Sequence, residues 1–169
     1  DWNNGAVALE DTSVLRVPAG STLINSGNTS LLGSATSRFD LQGTFRKTSN
    51  GNTAFQSGPI YDISGLIDVQ AGNLYFRSNS NVTGILQIAT GAGIRHDGGT
   101  MTVPSGATVT ISGGGSFELL GFSTLAVNGN LTTQGVSVFV SGGVIDVNGN
   151  ALVQGDFEWT SGGIRGNST

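Results

Sequence analysis

Cysteine is absent from this 169-residue chain, so no disulfide constrains it. Its stability must come from burial and backbone hydrogen bonding, which a long stack of strands can supply. Lysine occurs once, at Lys47, and lysine plus arginine total seven. Phosphate recognition needs clustered basic groups, and these are scattered, so no nucleic-acid partner is expected. Histidine also occurs once, at His96. A lone histidine leaves no pair for zinc and no independently supported Ser-His-Asp arrangement, and no metal or other cofactor is expected. Within Ile94-Arg95-His96-Asp97-Gly98-Gly99 it reads as part of a polar turn. No apolar run approaches the ~20 residues of a membrane span, so no membrane insertion is expected. Asp1-Trp2-Asn3-Asn4-Gly5 is polar, so an export signal is expected to be removed or to lie outside this sequence. Nor does any long stretch keep a 3.6-residue apolar period, which excludes a helical domain.

What the chain does contain is glycine, at 28 positions, set among short alternating apolar segments. Charged residues make up 11% and the net charge is -4. The low charge is not a mark of disorder, because apolar residues alternate with polar ones throughout. One phrase recurs: alternating apolar residues, a short step, then glycine. It reads Val14-Leu15-Arg16-Val17-Pro18-Ala19-Gly20, Phe39-Asp40-Leu41-Gln42-Gly43, and Leu66-Ile67-Asp68-Val69-Gln70-Ala71-Gly72. It returns to end at Gly91, Gly106, Gly129 and Gly149. The mean spacing is about 20 residues, the window of solenoids and repeat arrays.

Asn128-Gly129 and Asn148-Gly149 could each close a hairpin, which raises an antiparallel sandwich as an alternative. The phrase returns with one polarity, however, and stacking like on like explains that recurrence. The reading is an all-β, parallel β-helix (β-solenoid), right-handed by analogy with parallel crossovers. Residues 1–169 form a single solenoid of about eight coils, each roughly 20 residues, close to 40 Å long at ~4.8 Å per coil.

Aligned phrases give two inward columns, Leu15-Phe39-Ile67-Leu86-Met101-Leu125-Ile145 and Val17-Leu41-Val69-Ile88-Val103-Val127-Val147. The interior is expected to be uniformly large and apolar. Between the two columns lies an outward one, Arg16-Asp40-Asp68-Gln87-Thr102-Ala126-Asp146.

A longer echo links the ends: Trp2-Asn3-Asn4-Gly5-Ala6-Val7 matches Trp159-Thr160-Ser161-Gly162-Gly163-Ile164. It reads as a super-repeat, making the chain one unit or fragment of a longer tandem array. Trp2, Val7, Trp159 and Ile164 are then the assembly ends. Their expected partners are further copies of the chain or adjacent repeats.

Gly43-Thr44-Phe45-Arg46-Lys47-Thr48, followed by Gly65-Leu66-Ile67-Asp68-Val69-Gln70-Ala71-Gly72-Asn73-Leu74, resembles the repeat of large secreted bacterial surface proteins. Those proteins carry β-solenoid stalks and adhesin-like, autotransporter-passenger-like regions. The resemblance covers about a fifth of the chain closely and the rest only by period. It implies an extracellular or cell-surface, bacterial location and a stalk or adhesin context, and it carries no catalytic residues. The segment from Asn50 to Tyr61 departs from it in being bulkier and less regular.

Three function classes follow. The first is a structural, non-catalytic module of an extracellular fibre, stalk or matrix, extended by end-to-end stacking. The second is an adhesin or carbohydrate-binding module whose lateral face recognises surface glycans, with Tyr61 and Tyr75 as stacking residues. The third is a polysaccharide-cleaving β-helix enzyme, which needs neighbouring carboxylates. Asp40 and Asp68 form the one pair placed for that role, although outward acids on a strand wall are more often simply solvated. Thr100-Met101-Thr102 and Thr108-Val109-Thr110 read as ordinary strand threonines rather than an ice-binding face. Gly113-Gly114-Gly115 lacks the Gly-Gly-x-Gly-x-Asp phrase of calcium repeats. Asn28, Asn81, Asn130 and Asn167 begin Asn-x-Ser/Thr sequences of the kind expected by chance in such a composition.

Overall fold

The computed structural model describes residues 1–166 and is a parallel β-solenoid without helix among them. Asn167 lies outside the described residues. There are about seven turns of ~22 residues, where the sequence spacing predicts eight of 20. Coil one runs through β1 (Gly5–Leu9), β2 (Val14–Val17) and β3 (Thr22–Asn25), and coil two through β4 (Thr29–Gly33), β5 (Arg38–Leu41) and β6 (Thr44–Lys47). Coil three holds β7 (Asn52–Phe55), β8 (Ile60–Ile63) and β9 (Leu66–Val69). Coil four holds β10 (Asn73–Phe76), β11 (Ser80–Val82) and β12 (Ile85–Ile88). Coil five holds β13 (Gly93–His96), β14 (Thr100–Val103) and β15 (Thr108–Gly113). Coil six comprises β16 (Ser116–Leu120), β17 (Thr124–Val127) and β18 (Asn130–Gln134). In coil seven β19 (Ser137–Val147) turns a corner unbroken before β20 (Asn150–Gln154), and β21 (Phe157–Gly166) begins another turn.

Each strand pairs in parallel with its counterpart one coil on, giving three faces. The first stacks β1, β4, β7, β10, β13 and β16 onto β19, and the second stacks β2, β5, β8, β11, β14 and β17 onto it. Because β19 spans both, those two faces form one sheet. The third face is a separate seven-stranded sheet from β3 to β20. Strands form because apolar side chains alternate with polar ones, and in the inner coils each strand's backbone groups are satisfied by the coils before and after it.

The recurrent phrase is shared by two different corners. Gly20, Gly43, Gly106, Gly129 and Gly149 stand between the second and third faces, whereas Gly72 and Gly91 stand between the third face and the first. The remaining members of the first corner are Gly65 and Gly84. At that corner coils come too close for a side chain: a Cβ on Gly65 would lie 2.0 Å from the Gly43 carbonyl oxygen, and one on Gly84 1.9 Å from that of Gly65.

The columns change accordingly. On the second face the inward order is Leu15, Phe39, Tyr61, Ser80, Met101, Leu125, Ile145. Ile67 and Leu86 belong to the third face, beneath Phe45 and before Ile111. Five rings from all three faces fill the early interior: Phe39, Phe45, Phe55, Tyr61 and Phe76. Phe55 is their centre, stacked on Tyr61 at 4.8 Å and 8° and set edge-on to Phe76 at 5.1 Å. This cluster is what makes the segment around Asn50 to Tyr61 bulky.

The interior is not uniformly apolar. Asn25, Lys47, Thr53 and His96 are fully buried. The Asn25 amide donates to the Thr29 hydroxyl (2.6 Å) and the Trp2 carbonyl (3.2 Å), and accepts from the Thr53 hydroxyl (2.6 Å). Trp2 in turn donates its backbone N–H to the Ile24 carbonyl (2.7 Å), and so lies over the first coil. These four find partners within their own or a neighbouring coil, whereas the buried Ser80 hydroxyl has none among the described residues.

Candidate functional site

The two carboxylates expected to work together are on different faces. Asp40 lies on β5 and Asp68 on β9, and each is held by an arginine of the preceding coil. Arg16 Nε is 2.7 Å from Asp40 Oδ2, and Arg46 Nε is 2.8 Å from Asp68 Oδ2. The register neighbour of Asp40 is Asp62, itself 3.0 Å from Arg38 Nε. The phrase misleads because Asp40 and Asp68 occupy equivalent places in two different corners. Among the described residues, no group of three His, Cys, Asp or Glu is clustered to hold a metal.

Tyr61, expected at the lateral surface, is wholly buried. Its hydroxyl lies 2.9 Å from the Gln56 carbonyl oxygen and 3.0 Å from that of Leu31, and burial pushes the phenol above its ordinary pKa. It cannot meet a ligand at the wall. Tyr75 does face outward, between the guanidinium groups of Arg77 (5.0 Å from the ring centroid) and Arg95 (5.7 Å). Arg95 Nη1 donates to the Tyr75 hydroxyl at 3.0 Å.

His96 ends β13 rather than sitting in a turn, and it is fully buried. Nδ1 lies 3.3 Å from the Phe76 carbonyl oxygen and Nε2 3.1 Å from that of Thr124. Desolvation lowers its pKa, against the pull of those carbonyls. Lys47 points inward, its Nζ donating to the Ser49 carbonyl and hydroxyl. Burial lowers its pKa to about 8. The Gly43-to-Thr48 motif therefore carries a lysine that serves the interior, not the surface.

At the ends, Trp2 pairs with Asn25, whereas Trp159 pairs with Val140. Val140 continues the inward column that starts at Val7 and passes through Leu31, Phe55, Phe76, His96 and Leu119. The coil equivalent of Trp159 is thus Val7, five positions from Trp2, and the Trp-x-x-Gly echo is out of coil register. Trp159 and Ile164 are 53% and 47% exposed, while Trp2 is buried.

Two outward residues escape a reading based on the phrase. Arg95 and Phe139 share a column with Tyr75 and Glu118 on the first face. Their signal is local: in Ser137-Val138-Phe139-Val140 the flanking valines point in, so Phe139 points out. The three sequon asparagines described, Asn28, Asn81 and Asn130, are all exposed.

No family model, no curated protein and no solved structure matches this chain, so no family or homologue links it to bacterial surface repeat proteins.

Proposed function

We propose that this chain is a structural, non-catalytic β-solenoid segment of an extracellular or bacterial cell-surface fibre or stalk, lengthened by stacking coil on coil at its ends. One observation carries the reading. Phe157, Trp159 and Ile164 are 41%, 53% and 47% exposed, yet they stand over Val138, Val140 and Ile145, which are at most 8% exposed. The three are core positions awaiting a next coil. Val153, over the buried Thr133, extends the patch onto the third face at 38%. Among the described residues, no strand lies against the outer sides of β20 and β21, which carry backbone donors and acceptors. A covering coil, from another copy or from adjacent repeats, would remove both liabilities at once. Contacts of this head-to-tail kind build filaments when they do not close.

Sedimentation velocity and negative-stain microscopy over a concentration series test the reading. End-to-end rods that lengthen with concentration are expected, and Trp159→Asp with Ile164→Asp should return the chain to monomers. Compact monomers of the unaltered chain at every concentration would overturn self-stacking.

A further inference from the structure

We infer that the lateral wall carries a binding groove for a neutral oligosaccharide, on the first face at coils four to seven. This does not depend on whether the ends stack. The groove has a volume of about 420 Å³ and opens to solvent along its length. It exists because side chains are missing: Gly91, Gly114 and Gly115 form the corner between the third and first faces there. Asn73 closes one end, Phe139 the other, and Arg95, Ser116 and Ser137 line the side.

Two outward columns give the site its chemistry. One runs Asn73, Gly93, Ser116, Ser137 and supplies an amide and two hydroxyls around a bare position. The other runs Tyr75, Arg95, Glu118, Phe139, setting two aromatic rings three strand steps apart, on the order of 14 Å, with an ion pair between them. Strand spacing is close to the repeat of a pyranose chain, so successive sugar rings would meet successive coils. The Phe139 ring offers a face to apolar sugar C–H surfaces, and the polar column offers partners to hydroxyls.

Charge decides the ligand class. Arg95 Nε is 3.0 Å from Glu118 Oε2, and Arg77 Nε is 3.5 Å from Asp97 Oδ2. Both guanidinium groups beside Tyr75 are thus already neutralised, which disfavours phosphate or an acidic glycan. The backbone is fixed by parallel ladders on both sides, so little order is lost on binding.

The test is titration of the ¹⁵N-labelled chain, under monomeric conditions, with cellotetraose and separately with maltotetraose. Saturable shifts at Asn73, Arg95, Ser116 and Ser137 are expected for at least one. Binding should weaken about tenfold in Phe139→Ala, and be blocked by Ser137→Trp, which fills the groove but leaves the Phe139 ring. Thermal melts establish that the variants are folded. No saturable shift with either sugar overturns the inference. So does a response to inorganic phosphate alone, which would make this an anion site. Because these shifts lie on the side wall, they are separable from any failure of end stacking.

Discussion

Arg46 on β6 and Asp68 on β9 face each other across one coil step, Nε to Oδ2 at 2.8 Å, with the arginine in the earlier coil and the acid in the later. The other four ion pairs among the described residues keep that order: Arg16–Asp40, Arg38–Asp62, Arg77–Asp97 and Arg95–Glu118. The pairs tie adjacent coils and reinforce one register over a shifted one. The Arg46 side chain is 41% exposed, so its pair should add modest stability. A double-mutant cycle with Arg46→Ala and Asp68→Ala should give a coupling of about 0.5–1 kcal/mol, shrinking in high salt. A coupling indistinguishable from zero at low salt would show that the pair does not fix register.

Core truncation should be far costlier. Phe55 meets Phe39, Phe45, Tyr61 and Phe76 with centroids 4.8–5.3 Å away. Phe55→Ala would open a void that three rigid faces cannot close, costing about 3–5 kcal/mol in chemical denaturation. Tyr61→Phe keeps the ring and should cost only about 1 kcal/mol, from one lost hydrogen bond. Equal costs for the two would contradict the packing described.

Gly65→Ala and Gly106→Ala separate steric from conformational demands. A Cβ on Gly65 collides at 2.0 Å with the Gly43 carbonyl oxygen, a backbone atom that cannot swing aside. At Gly106 the φ of +79° disfavours alanine, but nothing lies within 4 Å of the added atom. The second change should cost about 1–2 kcal/mol. The first should cost clearly more, with a measurable lowering of the melting temperature relative to Gly106→Ala.

Stability should vary with pH at both extremes. Lys47 titrates at about 8 in the fold against 10.5 when unfolded. Below pH 8 both states are charged and the fold bears the whole cost of burying that charge. Between about 8 and 10.5 only the unfolded chain holds the proton, so stability rises with pH. Tyr61 acts oppositely: its pKa is raised, so above about pH 10 the unfolded chain alone ionises and stability falls. His96, lowered by burial, costs stability as pH drops below about 6.5. Urea midpoints should therefore peak near pH 10, and Lys47→Met should remove the alkaline rise while raising stability at neutral pH. A flat profile from pH 8 to 10 would place the ammonium in water.

The period, the strand class and the parallel stacking are legible in the sequence because one phrase with one polarity recurs. Its assignment to a face is not. Tyr61-Asp62-Ile63-Ser64-Gly65 is a copy of the phrase with tyrosine leading and a shorter step, and it is masked by the stronger Leu66-to-Gly72 copy that follows it at once. Two corners with the same steric need for glycine produce the same spelling. Hence Asp40 and Asp68 look like partners on paper and lie on separate faces. Lys47 pulls two ways: alternation puts it inward, a lysine's usual preference is for water, and the Ser49 corner supplies the acceptors that let it go in. Tyr75 and Phe139 are reachable by alternation alone. Their meeting across coils requires the register.

Every backbone ladder bond in this molecule runs along the axis, from one coil to the next. Tension applied between the two chain ends would therefore not shear a sheet; it would peel the outermost turn away, then the next. Each release frees about 22 residues, or roughly 70 Å of extended chain. A force–extension trace should be a sawtooth with that repeat, highest where the five aromatic rings bind coils two to four together. Stretched this way, the protein behaves as a shock absorber that lengthens turn by turn while the unpeeled remainder stays intact.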